Sequence, residues 1–275
     1  ALDVFDEEPP PKENPLVLSE KTICTPHLGA SKKEAQHKVA IDIANQIVDY
    51  FKNGVIKNSV NAPSVTFEVA KQISPYLKLS EKLGTVVSRI TDFPIKEVNI
   101  QYMGEIASAE TKILTQGIVK SILQEQMEGV NYVNAPVVAK SRAVKIKETK
   151  TVEGGDFASL LVIIVKGEGG ENTVQGTLFG KKEPRLIKVN NIYLEADLRG
   201  HMLFVYNYDK PGVIASIANV FYIRGINIGG MHFGREGVGG LAISLLDLDK
   251  DIEDNVIREI QSLPNIVSIK KIELP

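Results

Sequence analysis

Apolar positions along this 275-residue chain fall into strand and helix spacings that divide it into three stretches. In the first, Ala1-Leu2-Asp3-Val4-Phe5 alternates and predicts a strand, and Lys21 to Thr25 predicts a second that Pro26 ends. A polar, Pro-rich loop from Asp6 to Pro15 separates them. Ser31, with Glu34 three positions on, is a capping box, and Val39, Ile43, Ile47 and Phe51 then recur every fourth position. A helix from this box through Asn53 follows, with Gly54 as its stop. The run Lys57 to Pro63 is polar and Pro-terminated, which predicts a connector and a domain boundary.

The second stretch, 64–200, predicts an α+β domain. Leu79, Leu83, Val86 and Ile90 share one face of a helix over Tyr76–Ile90, and a second helix is expected over Glu110–Gln124. Strands are expected at 98–102, 158–166, 173–179 and 185–189. Lys140 to Lys150 alternates Val144 and Ile146 with charges, as on a solvated strand face. Asn-Ala-Pro occurs at Asn61 and at Asn134, in surroundings that do not repeat, and predicts two turns. The third stretch, 201–275, reads strand, helix ended by Gly225, strand, Gly-rich hairpin, strand, helix over 252–263 and strand, a βαββαβ order. The expected class is a multidomain chain of α/β and α+β parts.

Length supports two or three cores. A formal charge of −2 and a pI near 6.2 give no general attraction to nucleic acid. The longest apolar run, Leu160 to Val165, is too short to span a bilayer, and no leader pattern opens the sequence. One cysteine, Cys24, leaves no internal disulfide, suits a reducing cytoplasm and is expected to fill core. No metal site is expected. The start in mid-strand, without Met, reads as a fragment.

Two loops carry candidate chemistry. Pro26 holds the preceding residue extended, so His27 is expected at a strand end just before a helix, a position suited to proton transfer. Its surroundings, Leu2-Asp3-Val4-Phe5 with Glu7-Glu8-Pro9, then Thr25-Pro26-His27-Leu28-Gly29-Ala30-Ser31, resemble the closing segment of the NAD-dependent D-2-hydroxyacid dehydrogenases, and among them the phosphoglycerate-oxidising members. The resemblance implies that His27 is the acid/base, Glu8 its carboxylate partner, and that Asp3, His27, Leu28, Gly29 and Ala30 meet the nicotinamide end of NAD. Residues 1–58 would then be a remnant of the catalytic core. The family's Gly-rich phosphate turn has no counterpart here. Gly237-Val238-Gly239-Gly240-Leu241-Ala242 fits its spacing but leads into a strand, and reads as a hairpin.

The other loop is Tyr206-Asn207-Tyr208-Asp209-Lys210-Pro211-Gly212, at a strand-to-helix joint. Asp209 can hold an ammonium, Asn207 and Asn227 offer amides, and the N–H groups opening the helix at Gly212 can receive a carboxylate. Equally, Asp209 can be a helix cap and Asn227 a turn former. With Gly225-Ile226-Asn227-Ile228, the loop resembles the ACT domain, an amino-acid-sensing module. That resemblance implies L-serine as effector between two modules, hence a homo-oligomer, with Asn207, Asp209, Gly212 and Asn227 at the site. By position and length 64–200 resembles the intervening, allosteric-substrate-binding domain of the longer members. Arg185 and Lys188 are its available cations, but Tyr193, Glu195 and Asp197 argue against an anion site. The whole is expected to be the regulatory part of an oxidoreductase, inactive alone. The alternative is a non-catalytic amino-acid sensor.

Overall fold

The computed structural model describes residues 1–29, 31–53, 58–59 and 67–274, in two compact units that divide after Ser59. The first holds α1 (Pro15–Leu18) and α2 (Lys33–Asn53). Asn14 caps α1, its Oδ1 accepting from the amide of Leu16 at 2.9 Å. The two expected strands reduce to a single parallel bridge, Leu2 to Cys24, with Leu2 N donating to Ile23 O and Thr25 N to Leu2 O at 2.8 and 2.9 Å. Two short segments without a third neighbour sustain no longer ladder. Helix α2 begins one residue past Lys32, whose carbonyl accepts from Gln36 N at 3.0 Å, so Ser31 lies outside the first turn. Gly54 and most of the connector 57–63 lie outside the described residues.

No described residue of this unit is fully buried. Val39, Ile43 and Ile47 stand about half exposed and Phe51 is 80% exposed. The amphipathic stripe read from the sequence therefore exists, but no described residue of its own unit covers it. Cys24 is partly exposed rather than core-filling.

The second unit opens with α3 (Phe67–Arg89), which runs through Pro75 instead of beginning after it. Then come β1 (Glu97–Gly104), α4 (Thr111–Gln124), α5 (Ala135–Ser141), β2 (Lys145–Thr151), β3 (Ser159–Gly167), β4 (Gly170–Phe179), β5 (Glu183–Val189) and β6 (Ile192–Asp197). The sheet order is β2-β1-β3-β4-β5-β6, with β2 parallel to β1 and the other neighbours antiparallel. Leu79, Leu83 and Val86 of α3 are fully buried, as are Ile100 and Ile163 of the sheet. Helices α3 and α4 approach so closely that a Cβ on Gly84 would lie 2.9 Å from the carbonyl oxygen of Ile118. Two expectations change here. Asn134 precedes α5, because Pro136 occupies its first turn, where a missing N–H costs nothing. Strand β6 was not anticipated, although Ile192, Leu194 and Ala196 alternate with exposed neighbours.

The chain continues with β7 (Gly200–Tyr208), α6 (Val213–Ile223), β8 (Ile228–Arg235), β9 (Leu241–Leu248), α7 (Asp254–Gln261) and β10 (Ile266–Leu274), the expected βαββαβ order. The antiparallel sheet is ordered β10-β7-β9-β8. Leu203, Val205 and Leu246 point toward α6 and α7, where they meet Ile217, Phe221 and Ile260. Phe204, Ile243 and Leu245 of the opposite face are buried too. Gly234 belongs to that face, being paired with Ile243, and a Cβ on it would lie 2.1 Å from the carbonyl oxygen of Tyr193 in β6. Lys270 of β10 also pairs with Asp92, just beyond α3. The two sheets of this unit are thus clasped together.

Candidate functional site

Local hydrogen bonding, more than packing, shapes the His27 loop. Asp3 accepts from the amides of Leu28 and Gly29, both at 2.7 Å, and from the hydroxyl of Thr25 at 2.5 Å. The Thr25 hydroxyl first, then the Leu28 amide, hold the Asp3 carboxyl below its ordinary range. His27 adopts φ of 51°, a left-handed conformation that non-glycine residues rarely take and that clusters at working sites. Its Nδ1 lies 2.7 Å from Oε2 of Glu8, whose Oε1 accepts from the amide of Phe5 at 3.2 Å.

The hydrogen bond to Glu8, reinforced by its charge, raises the His27 pKa above 6.5. The same bond, with the Phe5 amide, lowers that of Glu8. Nε2 of His27 has no partner among the described residues and is left for an external group. Asp3, Phe5, Glu8, Cys24 and His27 line an open hollow of about 420 Å³. The sequence-derived residues Asp3, Glu8, His27, Leu28 and Gly29 therefore come together, and Ala30 lies outside the described residues.

At the β7–α6 joint the candidates divide. Asn207 and Asp209 share a pocket of about 140 Å³ with Val213, Ile214, Phe233 and Arg235. Asn207 is buried, its Oδ1 accepting from the Ser244 hydroxyl at 3.0 Å and its Nδ2 donating to Tyr208 O at 3.0 Å. Asp209 is not a helix cap. Its Oδ2 accepts from Arg235 Nη1 at 2.6 Å and from Gly239 N at 3.3 Å, and these contacts, Arg235 first, depress its pKa. Gly212 fills the cap position at φ of 90°, with no side chain bonded to the first amides of α6.

Asn227 is elsewhere. Its Nδ2 donates to Asp249 Oδ2 at 2.7 Å, at the far end of β8. Eight residues of strand put it roughly 25 Å from Arg235 within one chain. Sequence reasoning passed over Arg235 and Ser244. A basic residue closing β8 beside a Gly-rich hairpin was the only available signal.

In the intervening stretch, Arg185 is paired with Asp197 across β5 and β6, and Lys188 lies 5.0 Å from the Tyr193 ring centre. Both cations are engaged. Among the described residues no cluster of His, Cys, Asp and Glu suits a metal, and no helix is long and apolar enough to cross a membrane.

Two family models match the chain: the D-3-phosphoglycerate dehydrogenase intervening domain over 72–190 and the ACT domain over 201–265. The D-3-phosphoglycerate dehydrogenase of Bacillus subtilis is 34% identical over 276 aligned positions, which take in all of this chain and 52% of that protein. That of Methanocaldococcus jannaschii is 33% identical over 275, with the same coverage. A chloroplastic enzyme of that name from Arabidopsis thaliana is 31% identical over 284, with 97% of this chain and 48% of the plant protein. The chain spans about half the length of these curated relatives. It corresponds to the C-terminal part of the D-3-phosphoglycerate dehydrogenases and carries their intervening domain followed by an ACT domain.

Proposed function

We propose that this chain is the regulatory C-terminal part of an NAD-dependent D-3-phosphoglycerate dehydrogenase, which oxidises 3-phosphoglycerate to 3-phosphohydroxypyruvate at the head of L-serine synthesis. The observation that carries the reading is the 2.7 Å contact between His27 Nδ1 and Glu8 Oε2. It fixes the ring and leaves Nε2 to take the proton of the substrate's C2 hydroxyl, while Glu8 favours the imidazolium so formed. NAD, when bound, would supply the hydride acceptor. Asp3 and the loop 27–30 would lie at its nicotinamide end. They fit that role only in part, because the Leu28 and Gly29 amides are taken by Asp3, leaving packing rather than amide donation.

Regulation rests on the other pocket. L-serine would place its ammonium on Asp209 and its carboxylate at the start of α6. Asn227 enters from a second copy. Strand β8 is the edge of its sheet, and an antiparallel β8 to β8 pairing about a twofold axis would carry the copy's Asn227 to this Asp209. Feedback follows if L-serine binds two subunit arrangements unequally. The reading implies a cytoplasmic homo-oligomer.

Calorimetry with L-serine and an assay of NAD-dependent 3-phosphoglycerate oxidation test it. Binding abolished by Asp209→Ala, without turnover by this chain alone, is expected. Turnover by the chain alone, or affinity indifferent to Asp209→Ala, overturns it. A second reading, a non-catalytic amino-acid sensor, draws on the lack of a buried core among the described residues of 1–53 and makes the His27 pair inert.

A further inference from the structure

We propose that Arg235 determines the ligand class of the Asn207–Asp209 pocket by receiving the carboxylate of a free α-amino acid. This rests on the effector reading above and adds a recognition element to it. Only Nη1 of Arg235 is engaged, by Asp209 Oδ2 at 2.6 Å. Nε and Nη2 have no acceptor among the described residues, and Oδ1 of Asp209 has no donor. The pair therefore offers one open carboxylate oxygen beside an open guanidinium edge. A zwitterion, with an ammonium two bonds from its carboxylate, is the complement of that arrangement.

Charge sharpens the choice. Lys210 lines the same pocket, where its charge acts on Asp209 without a hydrogen bond or close ion pair among the described residues. Asp209, Arg235 and Lys210 sum to −1 + 1 + 1 = +1. An amine lacking a carboxylate meets net repulsion, whereas an amino acid brings the anion that Arg235 can hold. Arginine suits this task, because its planar fork bonds a carboxylate through parallel N–H groups. Each carboxylate oxygen has a second lone pair, so a carboxylate held by the Arg235 fork can also accept from the uncapped start of α6. Val213, Ile214, Phe233 and Ala242 supply apolar wall, and about 140 Å³ admits only a short side chain.

Calorimetry on the full chain, wild type and Arg235→Gln, with L-serine, glycine and ethanolamine as probes, is the test. Arg235 is 55% exposed, so the substitution leaves the fold intact. L-Serine and glycine should weaken about tenfold or more, the loss of one charge-assisted contact. Ethanolamine should instead bind more tightly, because Asp209 loses its competing cation. Arg235→Lys, which keeps the charge but not the fork, should fall between. Equal L-serine affinity in wild type and Arg235→Gln overturns the role of Arg235 alone. So does parallel weakening of all three probes, which marks a merely structural residue. If neither amino acid binds wild type, the effector reading falls and takes this inference with it.

Discussion

Gly234 of β8 meets the carbonyl oxygen of Tyr193 in β6 so closely that no side chain fits between them. This is where the sheet bearing the Asn207–Asp209 pocket touches the intervening sheet, and Gly234 itself lines that pocket. A ligand seated there abuts a backbone contact between the two sheets.

Gly234→Ala should destabilise the chain by about 1–3 kcal/mol, since the added methyl must push two backbones apart. Urea unfolding followed by circular dichroism measures it. A midpoint equal to wild type would mean that β6 does not press on β8.

Phe204 and Phe51 form a contrasting pair. Phe204 is fully buried, on the face of its sheet opposite Leu203 and Val205, and Phe51 is 80% exposed. Phe204→Ala should cost about 3–5 kcal/mol in this chain, whereas Phe51→Ser should change stability by no more than about 0.5 kcal/mol. Equal losses in the two variants would contradict the burial pattern.

The His27 titration follows from its partner. With its pKa raised by Glu8, proton NMR should find His27 half-protonated above pH 6.5. Glu8→Gln should bring that midpoint down. The stabilisation needs both charges: the His27 contribution is lost as pH rises through its raised folded pKa, and the Glu8 contribution is lost as pH falls through its lowered one. An unchanged midpoint in Glu8→Gln would separate the two residues.

In a full-length parent enzyme, His27→Ala should lower kcat by about 10² to 10⁴ with a smaller effect on KM. Glu8→Gln should lower kcat less and shift the acidic limb of the pH profile. Full activity in His27→Ala would favour the sensor reading.

Much of this architecture is legible in residue spacing. The βαββαβ order stands out because each element carries a strong period and is closed by Gly or a turn. Helix α3 was harder, as Pro75 reads as a start signal when it is in fact tolerated inside. The strand expectations at 1–5 and 21–25 failed because alternation describes a residue's two faces, not the presence of neighbours to pair with. At the sites, the sequence brought His27 to Glu8 through paired motifs. It could not reveal that Asp209 is engaged by Arg235, because 26 positions separate them and the β7–β9 and β8–β9 registers together bring them side by side.

Helix α2 presents Val39, Ile43, Ile47 and Phe51 to water. A stripe of that kind is adhesive, and at high concentration copies of the isolated chain will be drawn together along it. Mass measured on such a preparation would report this stickiness along with any true assembly, so subunit counts should be taken with α2 made polar.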